Sequence, residues 1–243
     1  MARQKYNKRE DVLELIEDYI LENNLKAGDK LPSERQLSEM WDLNRMTVRN
    51  AIQKLANENI LNIHPGSGTY VAHERLVRNL QDTFGFYESA VGDSRTIKTV
   101  VLELSRIEAN KDLGQKMKLV LGSPIFKLVR LRFLGDIPTS YSMVYLDGKR
   151  FENFDQLDLN NKSFYREIKR IYGIVPNEGQ HSISITYCSQ DEAELLDLEE
   201  NSPVLFQSGI TRDKNGKIFE YFKELLRSDQ VLLASELRRK ENK

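Results

Sequence analysis

Hydrophobic positions along the first part of the chain recur with the 3.6-residue period of a helix. Between residues 7 and 24, apolar side chains form one stripe and acidic side chains lie opposite. A breaker segment at 26–32 ends this helix, and Ser33 offers an N-cap for a second one. Asn44 can cap a third helix that runs to about Glu58. The pattern predicts three consecutive short helices.

A short hairpin pattern comes after the third helix. Residues 60–63 predict a strand, residues 64–68 a turn that contains two glycines, and residues 69–71 a returning strand. Three helices and a small hairpin are the arrangement of a winged helix-turn-helix. The sequence therefore predicts this domain over residues 1–74.

Beyond this region the periodicity changes. Residues 75–94 lack a clean pattern and are predicted to be a linker and lead-in, with Leu80, Phe84 and Phe86 packed on the second domain. Over residues 95–243, strand-like and helical segments alternate, and short turns join neighbouring strands. The pattern predicts an α+β domain with a largely antiparallel sheet. The predicted strands are 99–107, 124–133, 139–146, 182–187, 204–211, 218–226 and 231–238, and the predicted helices are 111–119, 163–172 and 189–196.

Composition narrows the class of protein. The composition, 30% charged and 40% hydrophobic, is typical of soluble globular domains. The length of 243 residues is sufficient for two such domains. We find no bilayer-spanning apolar run and no signal peptide, so we expect a cytoplasmic protein without a membrane partner. Cys188 is the single cysteine and there are three histidines, so neither a disulfide framework, nor a structural zinc site, nor any cofactor is expected.

The charge balance is nearly even, with 36 Lys and Arg against 37 Asp and Glu. A neutral chain is a poor candidate for nucleic-acid binding unless its charge is polarised. Acidic residues of the first domain concentrate on the first helix, whereas Arg35, Arg45, Arg49 and Lys54 belong to the two later helices. Neutrality therefore permits DNA binding but predicts a modest non-specific affinity for DNA and a weak dependence of that affinity on salt concentration.

The third helix carries the candidate DNA-reading residues. Arg45 and Arg49 lie at i, i+4 near its N-terminal end, which in a helix-turn-helix enters the major groove, where arginine can bind guanine. Asn50 is a candidate for adenine or for a phosphate, and Thr47 and Arg35 are expected to contact the DNA backbone. The alternative is that the arginine pair is simply a solvated helix face.

Three motifs in this region resemble the GntR family of bacterial regulators. They are LPSER at 31–35, NRMTVRNAI at 44–52 and GSGTYV at 66–71, and the resemblance covers roughly residues 5–72. It implies that the matching positions contact operator DNA, namely Arg35, Arg45, Thr47, Arg49 and Gly66. The tip of the hairpin, which includes His64 and Gly66, is slim enough to approach a phosphodiester.

The second domain has the elements of an anion site. Arg130 and Arg132 leave the same face of a predicted central strand about 6.5–7 Å apart, so both guanidinium groups can hold one anion. Ser163 begins a helix whose N-terminus favours an anion, and Tyr165 lies in its first turn. The open alternative is that one arginine pairs with Glu220 and that Ser163 is only an N-cap.

Residues 80–238 resemble the effector-binding (UTRA) domain of the HutC subfamily, which has a chorismate-lyase-like fold. Besides Gly92, the matching motifs are LGSP at 121–124, LVRLR at 128–132, SFY at 163–165, YGI at 172–174 and GKIFEY at 216–221. The resemblance implies that Arg130, Arg132, Ser163 and Tyr165 hold a phosphate and that Glu220 binds hydroxyl groups. Leu225-Leu226-Arg227 stands where the subfamily often has Tyr-Tyr-Arg, so the polar end of the ligand is expected to differ from that of an amino sugar phosphate.

These features predict a regulator of transcription, expected to be a repressor. It would bind a palindromic operator as a homodimer and respond to a small anionic metabolite such as a sugar phosphate. Two alternatives stay open: a chorismate-lyase-like enzyme and a DNA-binding protein that ignores ligands. We find no nucleophile–base arrangement, metal-ligand spacing or phosphate loop in the sequence, so no catalytic residue is assigned.

Overall fold

The computed structural model describes residues 10–73, 75–80 and 96–235. The chain divides into two compact units, Met1–Arg75 and Leu76–Lys243. In the first unit, three helices precede a two-stranded antiparallel hairpin, as the sequence predicts. The elements are α1 (Glu10–Glu22), α2 (Glu34–Trp41), α3 (Arg45–Asn57), β1 (Leu61–His64) and β2 (Gly68–Val71).

Local hydrogen bonds fix where α2 and α3 begin. The Ser33 hydroxyl accepts from the backbone N–H of Gln36, whose side chain accepts from the Ser33 N–H, and the two form a capping box. Asp42 ends α2 in the left-handed conformation, with φ of 53°. The Asn44 side chain accepts from the Met46 N–H at 2.8 Å and starts α3. The caps start the two helices, and one shared core packs them together. That core consists of Val12, Ile16, Leu31, Leu37, Val48, Ala51, Ile52, Leu55 and Leu61.

The second unit is built on a six-stranded antiparallel sheet in the order β4-β5-β6-β9-β8-β7. A separate pair of parallel strands is formed by β3 and β10. This arrangement confirms the predicted α+β class with an antiparallel sheet. The elements are β3 (Leu76–Asn79), β4 (Ile97–Glu108), α4 (Lys111–Met117), β5 (Pro124–Leu134), β6 (Ile137–Asp147), a 3-10 turn (Phe154–Gln156), α5 (Phe164–Tyr172), β7 (Pro176–Tyr187), α6 (Gln190–Leu196), β8 (Pro203–Asp213), β9 (Ile218–Leu226) and β10 (Val231–Ala234).

The two faces of the six-stranded sheet bury different layers. On one face, Leu128 and Val144 pack in an apolar cluster with Phe154 and with the α5 residues Phe164 and Ile168. Opposite them, α4 and α6 cover the sheet through two further apolar clusters. Because side chains alternate along a strand, Arg130 and Arg132 share the face of Leu128, which is the face covered by α5.

The β3–β10 pair lies on this same face. Leu76 and Val231 pack with Leu134 and Leu226, beyond the end of the arginine row. The sequence predicts a linker where β3 stands, and the structure corrects this: Leu76–Asn79 is a strand. Four residues carry too little periodicity to reveal a strand, and its pairing partner lies about 150 positions later. Of the predicted packing residues, Leu80 donates its N–H to the Ala234 carbonyl, whereas Phe84 and Phe86 lie outside the described residues.

Two predicted strand bounds differ from the structure by more than two residues. Strand β7 begins at Pro176 rather than at residue 182, because its first half is polar on both faces and shows no alternation. The last strand is Val231–Ala234, and residues 236–238 of the predicted strand lie outside the described residues.

Candidate nucleic-acid interface and effector site

Helix α3 separates a buried face from an exposed face. Its buried residues are Val48, Ala51, Ile52 and Leu55, and all four belong to the core of the first unit. Arg45 and Arg49 lie on the other side, with 65% and 62% of their side chains exposed. Asn50 is also exposed, and Thr47 is half-buried. The fold therefore leaves the predicted reading residues accessible at the start of the helix.

A carboxylate that sequence reasoning did not assign to this site holds the two arginines. Glu34 places Oε2 3.3 Å from the Arg45 Nε and Oε1 3.3 Å from the Arg49 Nε. Glu34 is the first residue of α2, and the turn between the helices brings it next to α3. In the sequence its only visible role is a favourable charge at a helix N-terminus, and no pattern links it to residues 11 and 15 positions later.

The hairpin presents a polar tip. Gly66 has a φ of +76° and no atom within 4 Å of an added Cβ, so the tip requires glycine for its backbone conformation rather than for space. The exposed His64 ring packs edge-on against Tyr70, with the ring centroids 5.2 Å apart. On α2, Arg35 pairs with Glu39 at 3.8 Å and stays 75% exposed. The residues predicted to contact the DNA backbone from the hairpin tip and from α2 are thus all exposed to solvent.

In the second unit, the two predicted arginines are buried. Arg130 is 3% exposed and Arg132 is 6% exposed, and they lie opposite Ser142 and Ser140 on β6. Burying two adjacent guanidinium groups is costly unless opposite charges or ligands compensate them. Their surroundings therefore decide whether they are structural or form a binding site.

Helix α5 brings its N-terminus to these arginines. The Ser163 hydroxyl accepts from the Arg166 N–H at 3.3 Å, so it caps the helix as both interpretations require. The loop before it is tied to the edge strand β4, because Asn161 and Asn160 accept from the N–H groups of Thr99 and Val101 at 2.9 Å each. These bonds fix where α5 begins relative to the sheet.

Tyr165 and Glu220 meet on the same face. The Tyr165 hydroxyl donates to Glu220 Oε2 at 2.7 Å, and the Thr211 hydroxyl donates to the same oxygen at 2.7 Å. Burial raises the pKa of the Glu220 carboxyl above its ordinary value, although these hydrogen bonds and the charge of Arg130 oppose the shift. Glu220 is therefore a buried carboxylate held by hydroxyl groups.

The structure pairs Arg132 with Glu224, a carboxylate that the alternative of an arginine–Glu220 pair did not include. Arg132 Nη1 donates to Glu224 Oε1 at 2.9 Å and to the hydroxyls of Ser140 and Ser142. Arg78 from β3 donates to Glu224 Oε2 at 2.8 Å. Sequence reasoning missed Glu224, although its spacing of four from Glu220 in a strand put both on one face.

Strong fields act on this carboxylate. Burial raises the pKa of Glu224, but the charges of Arg78 and Arg132 and a hydrogen bond from Ser140 outweigh it and hold the pKa at about 2. Near neutral pH, Glu224 is thus ionised, and both of its oxygens accept hydrogen bonds from neighbouring side chains.

Arg130 is different. Its guanidinium carbon lies 4.9 Å from the centroid of the Phe164 ring, and its buried Nε has no hydrogen-bond partner among the described residues. Burial, followed by the positive charge of Arg132, lowers the pKa of Arg130 to about 9. A buried cation with an unused donor can accept an anion from outside.

The two leucines that replace the subfamily's tyrosine pair lie on opposite faces of the sheet. Leu226 is buried and packs in the cluster of β3 and β10, whereas Leu225 packs on the opposite face of the sheet near Cys188. Only position 226 thus shares a face with the arginines.

Across the described residues, no group of three His, Cys, Asp or Glu side chains is placed to bind a metal ion. None of the helices described is long and apolar enough to span a membrane.

Comparison with known proteins finds a separate match for each part of the chain. Residues 8–71 match the profile of the bacterial regulatory proteins of the gntR family, and residues 93–231 match the UTRA domain. The chain belongs to the GntR regulators that carry a UTRA domain. Regulators of this class bind operator DNA through the first domain and small-molecule effectors through the second. The chain is therefore a metabolite-responsive regulator of transcription rather than an enzyme.

Several relatives have the same extent as this GntR regulator. It is 27% identical over 221 residues to the HTH-type transcriptional repressor NagR of Bacillus subtilis (strain 168), with 90% of both chains covered. It is 24% identical over 218 residues to the mannosyl-D-glycerate transport/metabolism system repressor MngR of Escherichia coli (strain K12), with 90% of each covered. The crystal structure of PhnF from Mycobacterium smegmatis has the same fold, with a TM-score of 0.70 and 21% identity over 94% of this chain and 100% of that chain.

Proposed function

We propose that this regulator is a repressor that reads its operator with the start of α3. Arg45 and Arg49 enter the major groove, Asn50 contacts a base or phosphate, and Thr47 and Arg35 position the DNA backbone. Supporting this, both arginines of α3 are exposed and are held side by side by Glu34. The hairpin tip with His64 and Gly66 contacts the backbone of the duplex beside the reading helix.

The effector we propose is a small anionic metabolite such as a sugar phosphate. The observation that carries this proposal is the buried Arg130, whose Nε has no hydrogen-bond partner among the described residues. The anion binds Arg130 with help from Arg132 and the N-terminus of α5 at Ser163. Tyr165 and Glu220 form the polar wall that binds hydroxyl groups. The relative named for mannosyl-D-glycerate supports a sugar-derived ligand.

We further propose a cytoplasmic homodimer on a palindromic operator. Strand β7 is the edge of the six-stranded sheet and is exposed over nearly its whole length. Ile183, Ile185 and Tyr187 leave one of its faces and are 41%, 71% and 66% exposed. A long exposed edge strand with an apolar second half invites aggregation in a monomer, whereas an antiparallel second copy covers it symmetrically.

Two measurements on the full chain test these proposals. The first selects duplexes from a random DNA library and footprints the chain on the selected sequence, where we expect two symmetric half-sites. The second records thermal unfolding with glucose 6-phosphate, gluconate and inorganic phosphate, where we expect stabilisation that grows with concentration. Selection of no sequence would refute the operator assignment, and the absence of stabilisation by every anion would support a regulator that ignores such ligands.

A further inference from the structure

One buried carboxylate connects the effector site to the strand that begins the second unit. Glu224 Oε1 accepts from Arg132 Nη1 at 2.9 Å and from the Ser140 hydroxyl at 2.6 Å. Its other oxygen, Oε2, accepts from Arg78 Nη1 at 2.8 Å. The Glu224 side chain is 6% exposed, and those of Arg132 and Arg78 are 8% and 14% exposed. One oxygen thus binds Arg132 of the proposed effector site, and the other binds Arg78 of β3.

The position of β3 in the chain gives this contact its meaning. The first unit ends at Arg75, and β3 begins at Leu76, so β3 is the first element of the effector-binding unit after the DNA-binding unit. It is held by pairing with β10 and by packing of Leu76 against Leu134 and Leu226. Arg78 adds the charged anchor of this strand. A shift of β3 therefore moves the residues at which the chain leaves the DNA-binding unit.

An anion at the arginines changes the forces on Glu224. Arg132 is attracted to both negative groups, so the anion competes with Oε1 for the same guanidinium. The anion and Glu224 also repel each other, and in a buried site this repulsion is weakly screened. Glu224 is then held less by Arg132 and relatively more by Arg78.

We propose that Glu224 is a positioning residue that couples anion binding at Arg130 and Arg132 to the placement of Arg78 and β3, and through β3 to DNA affinity. The inference rests on the proposed effector site. Such coupling is reciprocal, because the factor by which the anion changes DNA affinity equals the factor by which DNA changes anion affinity.

The test uses the full chain, its selected operator duplex, and glucose 6-phosphate and inorganic phosphate as probes. Calorimetry gives the affinity for each probe, and fluorescence anisotropy gives the operator affinity with and without saturating probe. The ratio of the two operator affinities is the coupling factor. The variants are Glu224→Gln and Arg78→Gln, and the matched control is Glu103→Gln, which breaks the ion pair between Glu103 and Lys127 on β4 and β5.

The proposed coupling through Glu224, which we call the relay, predicts a distinctive set of results. The wild-type coupling factor lies in the range of about 5–150-fold, and both relay variants bring it close to 1. Probe affinity shifts in opposite directions: Glu224→Gln binds more tightly because Arg132 loses its competing carboxylate, and Arg78→Gln binds more weakly because Glu224 then acts on Arg132 alone. The Glu103→Gln control keeps wild-type values of both quantities.

Other outcomes overturn the relay. Wild-type coupling in Glu224→Gln, a wild-type factor of 1 despite probe binding, or weaker probe binding in both variants would each do so, the last because it indicates a purely structural role. If circular dichroism shows that Glu224→Gln is unfolded, Arg78→Gln decides alone, and retained coupling refutes the relay. If the wild-type chain binds neither probe, the effector site itself is wrong and the relay falls with it.

Discussion

Each half of this regulator contains a glutamate that bridges two arginines with its two oxygens. In the DNA-binding unit, Glu34 contacts Arg45 and Arg49 at 3.3 Å each, and both arginine side chains are more than half exposed. Exposed pairs of this kind contribute about 0–1 kcal/mol, since water and salt compete with them. A DNA phosphate or a guanine can therefore replace Glu34 at little cost.

In the effector-binding unit, Glu224 contacts Arg132 and Arg78 at 2.9 and 2.8 Å, and the side chains of Glu224, Arg132 and Arg78 are only 6%, 8% and 14% exposed. Water cannot replace a lost partner there, so removing one member leaves an uncompensated charge. A glutamate bridge thus holds two exposed arginines weakly in the first unit and two largely enclosed arginines tightly in the second. Four substitutions test this comparison, beginning with the largest expected effect.

Glu224→Gln should lower the free energy of unfolding by about 3–5 kcal/mol, because Arg132 and Arg78 lose their shared, buried counter-charge. Urea denaturation of the full chain measures this, with Glu103→Gln as control for a partly exposed pair. A loss below about 1 kcal/mol would mean that burial makes no difference between the two bridges.

The same substitution should change the acid limb of stability. The pKa of Glu224 in the folded chain is about 2, below its ordinary value of 4.5, so its contribution is present above pH 4.5 and is lost as the pH falls towards 2. The difference in unfolding free energy between wild type and Glu224→Gln should therefore shrink over this range. A difference that stays constant from pH 6 to pH 3 would contradict the assignment.

Arg130→Met should separate binding from stability. It removes a buried charge but keeps an apolar stem against Phe164, so the free energy of unfolding should stay equal or rise. Affinity for inorganic phosphate or glucose 6-phosphate should fall by about 1.5–3 kcal/mol, which is roughly ten- to hundredfold. Arg106→Met, a more exposed arginine over Phe126, is the control. Unchanged anion affinity would show that Arg130 is not the anchor.

Arg49→Ala should weaken binding to the selected operator by about 1–3 kcal/mol per half-site and relax selectivity at the contacted base pair. Anion affinity should stay at the wild-type value, because the substitution lies in the other unit. Footprinting and anisotropy provide the measurements. An unchanged footprint with unchanged selectivity would leave Arg49 as a solvated side chain.

Glu34→Gln should have the smallest effect on folding, within about 1 kcal/mol, because both of its arginine partners are exposed. Operator affinity should be retained or slightly increased, since a negative charge beside the DNA phosphates is removed. Urea denaturation and anisotropy measure the two quantities. A loss of stability comparable to that of Glu224→Gln would erase the contrast between the two bridges.

Local patterns were sufficient for much of the fold. Helical periodicity and the caps at Ser33 and Asn44 predicted α2 and α3, and alternation in the second unit predicted the central strands. The same alternation placed Arg130 and Arg132 on one face. By contrast, β3 was missed, because four residues carry almost no periodicity and their partner is far along the chain.

The sequence by itself determined which elements form, which family motifs they carry, and which arginines are candidates for DNA and for an anion. Only the tertiary structure decided which carboxylate each arginine meets. Glu34 reaches α3 through the turn between two helices, and Glu224 joins Arg132 across the one intervening strand, β6, and Arg78 at a separation of 146 residues. Charge pairing depends on distance and burial, and neither is encoded by spacing along the chain once the partners lie on different elements.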